Sequence, residues 1–384
     1  MIAASALLTS ADASPTLAAD AVRAALAKAG RQQAQEVILF LTPEFSRLIP
    51  ASLAAVSRAA GCLQIFGSIA AGVATDEAWA MDRPAAAVLV LDELPTIAGV
   101  ADDTKSEDTD DSGAPVFSLC GRSHLPDEWL STNDDFSDLA GLDGTTDEND
   151  HGPGSFRESR FGLLYSDALS CRETAVWQGA RLAANGHASL RFPGVDAAIG
   201  LSTGVSTSGE GAIVGAAQGH ELIHLGGLSA LDSLRQALPP SLRQHRPLPV
   251  HCLCAVVRGQ SDDNPQLIPL LSANADGTVT LAQPVAAGSR LSWSLRLPAN
   301  AEADMKEMLN ELAPRCPHPT FGLFMSCIGR GPFFYAGEDR DWALFRQRFP
   351  GLPFVGAYGS GQIFSADHQH RLLQNSVITA LFSA

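Results

Sequence analysis

No apolar run in the 384-residue chain approaches the roughly 20 residues that a membrane helix needs, which argues against a membrane partner. Basic residues are also scarce. Asp and Glu number 42 against 26 Lys and Arg, a formal net charge of -16, and no basic stripe is present to follow a phosphate backbone, so nucleic acid is not an expected partner. The seven cysteines are odd in number, widely spread and contain no CxxC pair. That disfavours a disulfide framework or a zinc knuckle and fits a reducing, cytoplasmic compartment. The apolar start, Ile2 to Leu8, has no basic residue before Arg23 and is cut short by Thr9 and Ser10, unlike a signal peptide.

What is present is a globular composition, 46% hydrophobic and 18% charged, in a chain long enough for two or three folding units. The acidity is local. Residues 101–150 hold 15 Asp and Glu against Lys105 and Arg122, so the remainder carries only -3. Residues 101–155 read as a mobile acidic insertion, and the spacing of Asp143, Asp147 and Asp150 matches no EF-hand loop.

Elsewhere helical and strand-like runs alternate. Ser14-Pro15 starts an alanine-rich helix that Gly30 closes, and Ser46 to Ala60 reads as a second helix. Apolar runs at Val37–Leu41, Leu63–Ile69 and Ala86–Leu91 read as strands. Strands resume at Phe161–Ser166, Ala197–Ser202, Gly211–Ala217 and Glu221–Leu225, before a helix from Ser229 to Leu238 that Pro239-Pro240 stops. Further strands are expected at Val250–Val257, Thr278–Leu281, Leu291–Leu297 and Phe321–Cys327, helices at Ala301–Ala313 and Arg340–Arg348, and two apolar strands at the end. The alternation predicts an α/β protein with a boundary near 228.

Several segments carry a family resemblance. Phe321 to Gly331 (FGLFMSCIGRG) resembles the FIST C-terminal domain's strand and its cysteine-containing, glycine-rich turn. Pro353 to Ile363 (PFVGAYGSGQI) is similar to that family's GxYxxGEI-type signature, with Gln362 where an acidic residue is usual. Leu372 to Val377 is similar to its closing strand, with Asn375 kept and Ser376 where His or Gln often stands. Asp276 to Leu281, followed by Pro284 and Gly288, resembles its middle hairpin, and Gly61 to Gly72 resembles the small-residue turn of the FIST N-terminal domain.

The resemblance implies two tandem domains, FIST N-terminal-like at 1–228 with the acidic insertion, and FIST C-terminal-like at 229–384. Each is expected to hold a mixed, largely antiparallel sheet flanked by helices. It also implies a small-ligand sensor, not an enzyme, that signals to a separate histidine kinase or cyclase. An amino-acid-like compound or another small anion is the ligand it suggests, and relatives that bind haem and sense nitric oxide suggest haem as an alternative cofactor.

The candidate ligand residues lie on two turns. Cys327, Gly329, Arg330 and Gly331 follow a buried-looking strand, where glycines expose backbone N–H groups and Arg330 can fork onto a carboxylate. Tyr358, Gly359 and Gly361 mark the second turn, and Asn375 joins them through the resemblance. No catalytic residue is assigned.

His220 to His224 (HELIH) is an HExxH string of the kind that binds zinc when it lies on a helix. Gly215, Gly219, Gly226 and Gly227 crowd it, the third histidine position of a metzincin holds Ala230, and a strand is expected there. Residues four apart on a strand stand roughly 13 Å apart and cannot share one ion. A zinc hydrolase is therefore a lesser alternative, while His220 and His224, with His368 and His370, are candidates for a single haem or metal contact. Trp79, Asp82 and Arg83 read as a surface loop, and Cys252 and Cys254 as sharing one strand face in a core.

Overall fold

The computed structural model describes residues 1–92, 114–130, 159–166, 174–205, 211–243, 247–258, 266–366 and 369–383. The chain forms two compact units, one of Met1–Leu201 with Met308–Ala384 and the other of Ser202–Glu307.

The first unit opens with β1 (Ile2–Thr9), α1 (Pro15–Ala29), β2 (Glu36–Leu41), α2 (Ile49–Ala60), β3 (Ile65–Ile69), the hairpin β4 (Gly72–Thr75) and β5 (Trp79–Met81), and β6 (Ala85–Asp92). Local chemistry sets α1. The Ser14 hydroxyl accepts from Leu17 N at 3.2 Å, Pro15 supplies a preset φ, and Gly30 ends the helix at φ 65°, where a side chain would be strained. The chain continues through β7 (Val116–Cys120), a short α3 (Asp127–Leu130), β8 (Arg160–Leu164), β9 (Val176–Gln178), β10 (Arg181–Leu182), β11 (His187–Arg191) and β12 (Asp196–Ser202).

The second unit holds β13 (Ala212–Gln218), β14 (Glu221–Leu225), β15 (Leu228–Ser229), α4 (Ala230–Ala237), α5 (Pro240–Arg243), β16 (Leu253–Arg258), β17 (Gln266–Ala273), β18 (Val279–Leu281) and β19 (Arg290–Leu295). The helix α6 (Pro298–Leu312) carries the chain back to the first unit. There follow β20 (Phe321–Cys327), α7 (Arg340–Arg348), β21 (Phe354–Gly359), the hairpin β22 (Gly361–Ala366) and β23 (Gln369–Leu373), and β24 (Val377–Ser383).

The first unit contains an internal repeat. The succession β1-α1-β2-α2-β3-hairpin-β6 recurs as β12-α6-β20-α7-β21-hairpin-β24, and the last strand of each inserts between the first two, in the orders β1-β6-β2-β3 and β12-β24-β20-β21. In each copy the pair β2–β3 or β20–β21 is parallel, while β6 runs antiparallel to β1 and β2, and β24 antiparallel to β20. Each hairpin leaves its own copy: β4 pairs with β21, and β22 pairs with β8. In sequence the repeat survives mainly as glycine, with Gly67 and Gly72 in residues 65–75 placed like Gly356 and Gly361 in residues 354–364.

The two largest apolar clusters among the described residues of this unit lie on the two faces of its first sheet. One face of the first sheet packs on α1 and α2 through Val22, Leu26, Leu39, Leu53, Val56 and Val88. Its other face joins a core shared by the three sheets, where Phe117 stacks on Phe161 at 5.4 Å and Phe321 on Phe382 at 4.5 Å. Burying each such side chain contributes about 1.5–3 kcal/mol relative to exposure.

The second unit is a closed ring. Strands β13-β19-β16-β17-β18-β14 pair in that order, β14 pairs back onto β13, and every described pairing is antiparallel. Leu222, Ile268, Val279, Leu281 and Leu291 of its strands meet Leu231 and Leu234 of α4 in one core, so the barrel encloses packed side chains.

The α/β content and the mixed, largely antiparallel sheets agree with the sequence reading. Several details differ, among them Trp79, which opens the strand β5 and is not in a loop. Val116–Cys120, placed within the acidic insertion, is a fully buried strand between β11 and β8, because its apolar residues are screened on both faces. The rest of 101–155, beyond residues 114–130, lies outside the described residues, as does His368. Cys252 ends a 3-10 turn ahead of β16 and does not share a strand face with the buried Cys254. Where two closing strands were expected there are four, β21 to β24.

Candidate functional site

β20 and β21 lie side by side and parallel, with Cys327 in register with Gly359. The two glycine-rich turns predicted from sequence therefore leave the carboxyl ends of adjacent parallel strands. Small residues make the approach possible: a Cβ on Gly359 would fall 2.5 Å from the Leu164 carbonyl, and one on Gly329 would fall 2.3 Å from Asn375 Oδ1. Asn375 itself holds a left-handed φ of 57°. Cys327 is buried, its N–H donates to the Ser376 carbonyl at 3.0 Å and its thiol lies 3.8 Å from the Ser360 carbonyl.

Arg330 is not on the surface. It is 1% exposed and forks onto Asp341, with Nε to Oδ2 and Nη2 to Oδ1 both at 3.0 Å. The Tyr335 hydroxyl donates to the same Asp341 Oδ2 at 2.9 Å. Burial is the largest influence and opposes the charge on Arg330, but Asp341 and Tyr335 together outweigh it and hold the guanidinium protonated. The fork that sequence offered to a ligand is thus taken up within the protein.

Tyr358 is fully buried, its ring against Gly331, and its hydroxyl donates to Asp339 Oδ2 in a short hydrogen bond. Asp339 caps α7, its Oδ1 accepting from Trp342 N at 2.9 Å, and the Trp342 indole in turn donates to the Thr75 carbonyl of β4 at 2.7 Å. Burial, and then the nearby charge of Asp341, push the Asp339 carboxyl up to about 7. Burial also raises the Tyr358 phenol well above its ordinary value, and Asp339 raises it further. Sequence reasoning missed Asp339, Asp341 and Tyr335. The available signal was an Asp just ahead of the predicted helix at Arg340, the usual place for a cap.

Gln362 occupies the position that the family pattern gives to a carboxylate. It is fully buried, accepts from the Ser376 hydroxyl at 2.9 Å, and its Nε2 has no hydrogen-bond partner among the described residues. Gly361 pairs opposite Leu164 beside it.

Glu221 to His224 of HELIH lie on the strand β14, and His220 sits in the turn before it. Glu221 opens β14 and accepts from Asn274 Nδ2 at 3.0 Å, Thr278 Oγ1 at 2.8 Å and Thr280 Oγ1 at 2.9 Å, so its carboxylate pins the barrel's strands. His220 Nδ1 lies 3.0 Å from the Leu281 carbonyl, and His224 is exposed on β14. Among the described residues no group of three or more His, Cys, Asp and Glu stands together to hold a metal. Both imidazoles are exposed while Leu222 and Leu225 fill the core, so these two histidines do not supply the enclosed apolar slot that a haem needs.

Fold and site together define a duplicated α/β unit joined in sequence to a closed antiparallel barrel, with a buried ion network at the roots of two glycine turns. The FIST N domain matches residues 35–261 and the FIST C domain residues 230–365; the chain belongs to the FIST family, whose domains are generally associated with sensory signalling. It is similar to the uncharacterized protein Rv0628c of Mycobacterium tuberculosis H37Rv, 26% identical over 201 residues that make up 50% of this chain and 52% of the relative. The uncharacterized protein Mb0898c of Mycobacterium bovis is 25% identical over the same shares. The chain spans about half the length of the curated relatives it matches. No helix among the described residues is long and apolar enough to cross a membrane.

Proposed function

We propose that the chain is a cytoplasmic sensory protein that binds a small ligand, amino-acid-like or another small anion, and passes its occupancy to a separate partner such as a histidine kinase or a cyclase. One observation carries the ligand site: the register of Cys327 with Gly359 sets both glycine turns at the carboxyl ends of adjacent parallel strands, where open α/β sheets bind their ligands. The ligand meets Cys327, Gly329, Gly331, Gly359, Gly361 and Asn375. Arg330 and Tyr358 act from below as positioning residues, because Asp341 and Asp339 already occupy their polar atoms. The strand geometry of HELIH lends nothing to a zinc hydrolase, and the exposed histidines lend nothing to haem.

Thermal unfolding of the purified chain with the standard amino acids and small carboxylates tests this reading. A true ligand at a hundredfold excess over its Kd stabilises by about 2.7 kcal/mol, and Asn375→Ala should weaken that effect. If no compound shifts the transition, or the variant binds as well as the parent, the site is elsewhere.

A further inference from the structure

The charges beneath the turns do not balance. Arg330, Tyr335, Asp339, Asp341 and Tyr358 are each at most 8% exposed, so among the described residues two carboxyls share one buried cluster with one guanidinium. Arg330 and Asp341 neutralise each other through their paired contacts. Asp339 accepts from two neutral donors, Trp342 N and the Tyr358 hydroxyl. Fully ionised, the cluster holds one excess negative charge away from water, which is costly even at a helix start whose dipole offsets part of it. A single proton removes the excess.

We propose that this cluster is a proton-operated latch: with a proton on Asp339, the turn after β20, the start of α7 and β21 are locked together, and loss of that proton to solvent frees the start of α7 and the turn that carries Arg330. Among the described residues the groups facing the cluster are these, while the charged chain neighbours of Asp339, Glu338 and Arg340, are both exposed. The turn after β20 presents Arg330, the loop behind it Tyr335, α7 Asp341, and β21 Tyr358; from β4, the Thr75 carbonyl enters and is taken by the Trp342 indole. The two phenols stay protonated throughout, since burial raises both. The position of the Asp339 carboxyl, near 7, sets the latch to work around neutrality. The latch stands whether or not a ligand binds at the turns, and its test uses none.

Amide hydrogen exchange of peptides spanning 328–342, corrected for intrinsic rates, should show local opening that rises on the order of tenfold between about pH 6 and about pH 8. In Asp339→Asn, which keeps the cap acceptor without a titrating group, that rise should vanish. No rise in the parent, or the same rise in the variant, overturns the latch. Should the variant misfold, carbon-13 NMR of the Asp carboxyls in the parent decides: a buried Asp titrating near neutrality upholds the latch, and titration of every Asp below about pH 5 removes it.

Discussion

Glu36 opens β2 and is 6% exposed, and burial pushes its carboxyl up to about 8 from an ordinary 4.5. Between those values the folded chain holds a proton that the unfolded chain has released, so stability is fully present below about 4.5 and is lost as pH rises through 8. Glu36→Gln removes the titration. Urea unfolding should find the variant gaining on the parent by roughly 3–5 kcal/mol from acidic to mildly alkaline pH, and parallel pH profiles would show that Glu36 is solvated in the folded state. At this scale much was legible. Ser14, Pro15 and Gly30 announce α1, and glycine crowding, Ala230 at the third histidine position and the expected strand together set HELIH against its own motif. The partners of Arg330 were not, because Asp341 and Tyr335 reach it only through the folded loop, and an arginine in a glycine turn reads as a surface fork.

The elements beside the site depend on that same pair. Arg330 ties the turn after β20 to the first turn of α7, and Asp341 is completely buried. Arg330→Met removes the guanidinium that forks onto the buried Asp341, a loss of about 3–5 kcal/mol. The double change Arg330→Met with Asp341→Leu removes both charges, and should recover much of that stability while loosening the turn's register. Urea midpoints of parent, single and double variants decide the matter: a single variant within about 1 kcal/mol of the parent would mean that the pair is wet. Among the elements, sequence captured β20 and α7 at their observed bounds, where apolar runs and a cap coincide. It lost β7, because four apolar residues and a serine inside a strongly acidic stretch were averaged into their surroundings although the fold buries all five.

For the molecule as a whole, the expected boundary at 228 falls inside the barrel unit, Ser202–Glu307. A linear reading looks for one cut, whereas this chain leaves the first unit, builds a barrel, and returns at Met308 to finish what it began. The repeat escaped for a related reason: its copies agree in strand order and in a few glycines, which hydrophobic patterning does not register. The arrangement has a direct consequence for folding. The barrel is contiguous in sequence, closed by its own pairings and filled by its own core, so it meets the requirements of an independent folding unit. Residues 202–307 expressed alone should give a β-rich circular dichroism spectrum and one cooperative thermal transition. Residues 1–201 alone should not, since β20, β21 and β24 supply half of the repeat and reach the shared core only from the far end of the chain. A barrel fragment without a cooperative transition would mean that its strands need the flanking sequence to close, and the two units would then have to fold as one.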